Sequence, residues 1–280
     1  MNDRFVQVNG LRVRYRSAGE RGPVVVLLHG IGRTLEDWSE NMLALGRSHR
    51  VFAPDFPGCG FSDKPVLSYT TPFLAGFVRD FLRALNLERA TLVGNSMGGG
   101  ISLEFAVQFP ELLEGLVLVA PAGMGPKGAQ FLGLCSIPVF GELISRPSRV
   151  GSKRALELLF ADRNMMTQAR AERDFELSSQ PGATRAFLKM LRFMANRHGA
   201  KPAFYNRSLE NAANVRVPTL VVWGVQDHIL PVEYARIAAK TIPGSSLQVY
   251  DPCGHFPMLE RAGEFNVLLL EFLEHGLRPA

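Results

Sequence analysis

The sequence predicts an α/β protein: a mostly parallel central sheet flanked by helices, carrying a helical lid insertion. Three observations point there. Short, nearly continuous apolar runs recur along the chain, as strands buried on both faces require. Between them lie stretches whose apolar side chains repeat at helical spacing, and strand–helix alternation builds parallel sheets. From about Met124 to Tyr205 the strand rhythm stops and helix-compatible pieces take over.

The elements follow in order. Phe5–Val8 and Leu11–Tyr15 flank Asn9-Gly10, the turn chemistry of an antiparallel hairpin. Val24–Leu28, Val51–Pro54, Thr91–Val93 and Leu116–Val119 read as buried strands. Phe77, Val78, Phe81, Leu82 and Leu85 repeat at helical spacing, with Arg79, Asp80 and Arg83 on the other side. Ile101–Phe109 reads as a helix that stops at Pro110. The central segment is punctuated by Gly and Pro before helix-compatible stretches at Ser152–Phe160 and Arg185–Met194. Strands resume at Thr219–Trp223 and Leu247–Tyr250, and a helix near Phe265–Glu274 closes the chain. The expected organisation is a core of residues 1–123 and 206–280 carrying an inserted helical lid, residues 124–205.

Composition narrows the classes. A chain of 280 residues with 46% hydrophobic and 20% charged side chains is ordinary globular material with ample length for a core. The net charge of +5 is unevenly spread: residues 124–205 hold 13 basic and 6 acidic side chains (+7), against 18 and 20 (−2) elsewhere. Those cations form no compact basic stripe with interleaved aromatics, which argues against nucleic acid as a partner. Arg146, Arg149, Lys153 and Arg154 suit a solvated face, or attraction of an anionic substrate or membrane surface. Met1-Asn2-Asp3-Arg4 lacks the apolar stretch of a signal peptide, and no run is long enough to anchor the chain in a membrane. Cys59, Cys135 and Cys253 have no metal-ligand spacing and suit a reducing compartment, so a cytoplasmic location is expected. The expected partner is a small molecule, hydrophobic or anionic; the oligomeric state is left open.

The strongest motif is Gly94-Asn95-Ser96-Met97-Gly98, between an expected strand and an expected helix. A sharp strand-to-helix turn holds its central residue in a strained conformation and lifts that side chain above the sheet. A serine nucleophile needs a base, and the base needs an orienting acid. Asp227 stands in the loop after Thr219–Trp223, and His255 in the loop after Leu247–Tyr250. His228 is a rival base, but it shares the Asp227 loop. His29-Gly30-Ile31-Gly32 follows Val24–Leu28 in a turn able to aim a backbone N–H at a substrate oxygen. Ile31 and Met97 are therefore the expected oxyanion-hole donors. Gly30, Asn95 and Phe256 are candidate substrate contacts beside these groups.

These residues resemble the α/β-hydrolase fold family in its serine branch, over nearly the whole chain. The resemblance rests on the His29–Gly32 turn, the Asp55-Phe56-Pro57-Gly58-Cys59-Gly60-Phe61-Ser62 loop, the Ser96 turn, the Asp227 loop and the His255 segment, all in family order. It implies that residues 124–205 cover the active site, and that no cofactor or metal is needed. A serine rather than a carboxylate at position 96 argues against haloalkane dehalogenases and epoxide hydrolases of the same fold. Asn95-Ser96-Met97-Gly98-Gly99 is similar to the turn of carbon–carbon bond hydrolases acting on ring-fission products, in which Arg173 would bind the substrate carboxylate. Phe256, where that subfamily has tryptophan, and Gly30-Ile31-Gly32-Arg33-Thr34, where it has Gly-x-Gly-Pro-Gly, depart from its pattern. The expected activity is hydrolysis of carboxylic esters of hydrophobic small molecules through an acyl-enzyme. The alternatives are carbon–carbon hydrolysis of a dienol-keto acid, and a ligand receptor built on the same fold.

Overall fold

The strands β1 (Arg4–Val8), β2 (Leu11–Ala18), β3 (Val24–Leu28), β4 (Arg50–Pro54), β5 (Ala90–Asn95), β6 (Leu113–Val119), β7 (Thr219–Gly224) and β8 (Ser246–Tyr250) form one sheet. In the computed structural model, which describes residues 1–276, their order is β1-β2-β4-β3-β5-β6-β7-β8. The β1–β2 and β2–β4 pairs are antiparallel, and every later pair is parallel. All six expected strand runs and the hairpin are thus present as strands.

Alternate side chains of each inner strand enter opposite layers, the period-two rule of a pleated strand. Val24, Val26, Leu28, Leu92, Leu116 and Leu118 join one buried cluster, whereas Val25, Leu27, Val93, Val117 and Val119 join the other. Because both faces are covered, the sequence reads as continuous apolar runs rather than alternation. The first cluster packs against α1 (Thr71–Ala84) and α2 (Met97–Gln108). Helix α1 starts where Thr70 Oγ1 accepts the Phe73 N–H at 3.2 Å, with Pro72 in its first turn.

Register gathers the site. Leu28 pairs with Gly94, Gly94 with Leu118, Leu118 with Val221, and Val221 with Leu247. The loops that leave the carboxyl ends of β3, β5, β7 and β8 therefore emerge side by side, the usual ligand edge of a parallel sheet.

Between β6 and β7 the chain forms α3 (Gln130–Cys135), α4 (Phe140–Ile144), α5 (Arg149–Glu157), α6 (Gln168–Ser178), α7 (Ala183–Met194) and α8 (Pro202–Ala213). A two-residue antiparallel ladder, Ala195–Asn196 with Gly199–Ala200, separates the last two. The expected core boundary at residue 205 falls inside α8, whose Asn211 donates to Glu104 of α2 at 2.9 Å. Helix α6 is fastened to the core segment after β3 by a row of ion pairs: Arg170 with Glu40, Arg173 with Glu36, and Asp174 with Arg33. The chain closes with α9 (Glu233–Thr241) beside β7 and β8, and with α10 (Ala262–Glu271). Among the described residues, no helix is long and apolar enough to cross a membrane.

Candidate active site

Ser96 sits between β5 and α2 with φ 54° and ψ −116°, a conformation L-residues rarely adopt. Its backbone is pinned on both sides. The N–H donates to Val119 O at 2.9 Å, and the carbonyl accepts from Ala122 N at 2.9 Å and Gly100 N at 3.1 Å. A Cβ on Gly94 would lie 2.4 Å from Gly98 O, and one on Gly98 would lie 2.3 Å from Leu28 O. Both positions therefore exclude any side chain. The Ser96 hydroxyl has no hydrogen-bond partner among the described residues.

Asp227 and His255 meet across their loops. His255 Nδ1 lies 2.7 Å from Asp227 Oδ2, and both side chains are almost fully buried. The second oxygen, Asp227 Oδ1, accepts the N–H groups of Ile229 at 2.8 Å and Leu230 at 2.9 Å. That arrangement keeps the carboxylate an acceptor, so Nδ1 carries a proton and Nε2 is left as the basic nitrogen. Gln226 locks the two loops together: its N–H donates to Cys253 O, and its Oε1 accepts from Cys253 N, each at 2.8 Å. His228 is exposed, unlike His255, and does not join the pair.

The β3 turn approaches from the other side. A Cβ on Gly30 would stand 3.3 Å from Ser96 Cβ, so the turn and the serine are in near contact. The turn is closed by Arg33 N–H donating to Gly30 O at 3.2 Å. His29 braces it: Nδ1 lies 2.8 Å from Gly30 O, while Nε2 accepts the Phe56 N–H at 3.0 Å. Full burial holds the His29 pKa below its usual 6.5. Asp55 supports the same region, receiving Arg14 Nε at 2.6 Å, Leu35 N at 2.9 Å and Phe61 N at 3.0 Å. Among the described residues neither the Ile31 nor the Met97 N–H has an acceptor within the protein. Met97 opens α2, where the first N–H groups have no intrahelical partner.

These groups border one cavity of about 420 Å³, a volume suited to a small organic molecule. Ser96, His255, Gly30, Ile31, Asn95 and Phe256 all line it. The core supplies one wall, and the inserted helices supply the other through Phe131, Leu132, Ile144, Leu159, Leu177 and Phe187. Cys59 also reaches the lining, but burial pushes its thiol up to about 12, which removes it as a rival nucleophile. Among the described residues no cluster of three or more His, Cys, Asp or Glu side chains is able to hold a metal ion.

One substrate contact expected from the sequence needs correction. Arg173 does not line the cavity. Its guanidinium binds Glu36 Oε1 at 2.8 Å and Glu176 Oε2 at 2.7 Å, which leaves it no freedom to grip a substrate carboxylate. Asn95 does reach the lining, but its amide donates to Val119 O and His255 O, both at 3.2 Å, and so ties the serine turn to the histidine loop. Phe256 is fully buried, and its ring stacks on His255 with centroids 5.8 Å apart. A residue the sequence reading passed over is Arg33. It lines the cavity, pairs with Asp37 at 2.7 Å and with Asp174, and lies 5.6 Å over the Phe256 ring. Its place beside the Gly30 turn was visible in the sequence; its partners were not.

Comparison with known proteins places the fold. The chain is 31% identical over 282 residues to an uncharacterized protein of Mycobacterium tuberculosis, covering 96% of this chain and 80% of that one. It is 30% identical over 267 residues to a 2-hydroxy-6-oxo-6-phenylhexa-2,4-dienoate hydrolase of Comamonas testosteroni, covering 93% and 91%. Among solved structures, a meta-cleavage product hydrolase from Pseudomonas fluorescens IP01 superposes with a TM-score of 0.82 at 27% identity, covering 97% of each chain. The family model for the alpha/beta hydrolase fold matches residues 23–262, and the chain belongs to that family.

Proposed function

We propose that the protein is a serine hydrolase that cleaves carboxylic esters of hydrophobic small molecules through an acyl-enzyme. The observation that carries this reading is the His255 ring, oriented by Asp227 at 2.7 Å and bordering the same cavity as Ser96 on its strained turn. Ser96 Oγ attacks the ester carbonyl while His255 Nε2 takes its proton and returns it to the departing alkoxide. Asp227 fixes the tautomer and stabilises the imidazolium. The N–H groups of Ile31 and Met97 receive the oxyanion as charge develops on it. Water then attacks the acyl group with His255 as base. The inserted helices act as a lid, and their apolar lining selects the hydrophobic acyl part. Replacing Ser96 with Ala is expected to lower turnover of p-nitrophenyl esters by at least about a thousandfold with the thermal midpoint unchanged. Unaltered turnover would sink the assignment.

A second reading has specific support, because the Comamonas and Pseudomonas relatives are named for cleavage of ring-fission products. In that reaction a substrate carboxylate needs a cation, and Arg173 is engaged elsewhere. The cavity's Arg33 is already paired with two carboxylates, so the ester reading stands first. A rate comparison on short and long p-nitrophenyl esters and a ring-fission dienol separates the two. A thousandfold preference for the dienol, about 4 kcal/mol of transition-state binding, reverses the order.

A further inference from the structure

The exposed apolar side chains of this molecule are concentrated. Of the seventeen large ones exposed among the described residues, seven lie between Leu134 and Leu158, less than a tenth of the chain. Within this stretch Val139 is the most exposed, at 73%, and Val150 follows at 62%. Phe140, Leu143 and Ile144 stand between them. Val139 occupies a γ-turn: φ is 67°, and Phe140 N donates to Pro138 O at 2.8 Å. That is a strained conformation for a β-branched residue, and it holds an apolar side chain out in water, where it gains nothing.

Interleaved with these residues are Arg146, Arg149, Lys153 and Arg154, none of which forms an ion pair among the described residues. The neighbouring Glu142 is paired instead with Arg192 at 2.6 Å. Elsewhere in the inserted segment Arg170, Arg173 and Arg192 are each held by a carboxylate, Glu40, Glu36 and Glu142 respectively. Unpaired positive charge and exposed apolar surface therefore coincide in one stretch. The same stretch forms the rim of the catalytic cavity, to which Ile144, Arg146, Arg154 and Leu158 contribute.

We infer that residues 134–158 form a docking surface for a lipid bilayer rich in anionic headgroups, by which the cavity mouth is set against the membrane. Neither half of the surface suffices alone, since a few apolar side chains or a few cations give only weak attachment, but the two together give stable, reversible binding. The cations meet the headgroup phosphates, and Val139, Phe140, Leu143 and Val150 enter the headgroup–acyl boundary. A protein docked on this rim closes the cavity, whereas a fluid bilayer leaves apolar small molecules a way into it. The inference concerns binding and does not depend on the hydrolase assignment.

The test is co-sedimentation of the intact protein with vesicles of phosphatidylcholine alone or mixed with phosphatidylglycerol. Binding is expected only to the anionic vesicles, with release as salt rises from about 0.05 to about 0.5 M. The double variant Arg149→Gln, Lys153→Gln changes two residues outside the cavity lining, and each lost cation is expected to weaken partition about fivefold, or about twenty-five-fold together. Val139→Ser with Val150→Ser is expected to weaken it further while leaving hydrolysis of a short soluble ester unchanged. Equal partition to both vesicle types, or full retention by the double-charge variant, overturns the inference. So does a solution dimer dissociated by the two Val→Ser changes, which assigns the surface to a second copy. Ser96→Ala is expected to bind vesicles like the parent, so loss of the hydrolase reading and loss of the docking surface register separately.

Discussion

Asp227 uses each of its oxygens for one purpose. Oδ1 takes two backbone N–H groups at 2.8 and 2.9 Å, and Oδ2 takes the His255 ring. In Asp227→Asn the amide oxygen has to remain on the backbone donors, which turns the NH₂ group toward His255 Nδ1. The ring is then forced into the tautomer with its proton on Nε2, where it is no longer a base for Ser96. Turnover is expected to fall about ten-thousandfold with little loss of stability, measured as ester hydrolysis beside thermal unfolding. His29 gives a second expectation at this scale. Burial keeps its folded pKa below 6.5, and His49 is shifted in the same direction by the same cause. As pH falls below 6.5 the unfolded chain takes up these protons before the folded one does, so stability declines with acidification. The slope reaches at most about 1.4 kcal/mol per pH unit for each histidine. A urea midpoint that stays level from pH 7 to 5.5 would contradict this. Arg173 shows where residue-level reading stops. Its position in the chain suited a carboxylate ligand, but Glu36, 137 positions away, is brought to it only by folding.

The elements most legible in the sequence were those whose local pattern and tertiary burial agree. The inner strands are covered on both faces, so their apolar runs were unbroken, and the loops bearing Ser96 and Asp227 follow two of them, while His255 follows the edge strand β8. Short pieces such as α3 and α4, of six and five residues, left no periodic signal. The extent of α8 was equally hidden, because the boundary expected at residue 205 rested on a loss of strand pattern rather than on packing. Helix α8 is attached to α2 through a buried carboxylate. Glu104 accepts Arg207 Nε at 2.7 Å and Asn211 Nδ2 at 2.9 Å, and these partners hold its pKa below the usual 4.5 against the opposing effect of burial. Glu104→Ala leaves the Asn211 amide without an acceptor, while half-exposed Arg207 turns to water. A loss of about 2 kcal/mol, read from the denaturation midpoint, is expected.

At the scale of the whole molecule, the positive excess seen in the composition is less free than its count implied. Carboxylates of the core, Glu36 and Glu40, neutralise part of it and bolt α6 down, and Arg146 and Arg154 stand at the cavity. A second set of ties joins the inserted segment to the His255 loop itself. Leu159 O accepts the His255 N–H at 2.8 Å, and Glu260 reaches across to the N–H groups of Ala161 at 2.8 Å and Asp162 at 3.1 Å while also holding Gly254 N. On the inserted side, every one of these contacts is made by a main-chain atom. The stretch from 159 to 162 therefore does not tolerate a change of length: it works as a ruler that sets where the histidine ring stands. One glycine inserted after Ala161 is expected to lower kcat at least about tenfold, since misplacement of a reacting group by about 1 Å is costly. The same insertion after Pro147, on the rim, is expected to change KM and substrate preference instead. Laboratory variation of substrate range in this chain thus has freedom in the rim before Leu158, and a fixed count of residues after it.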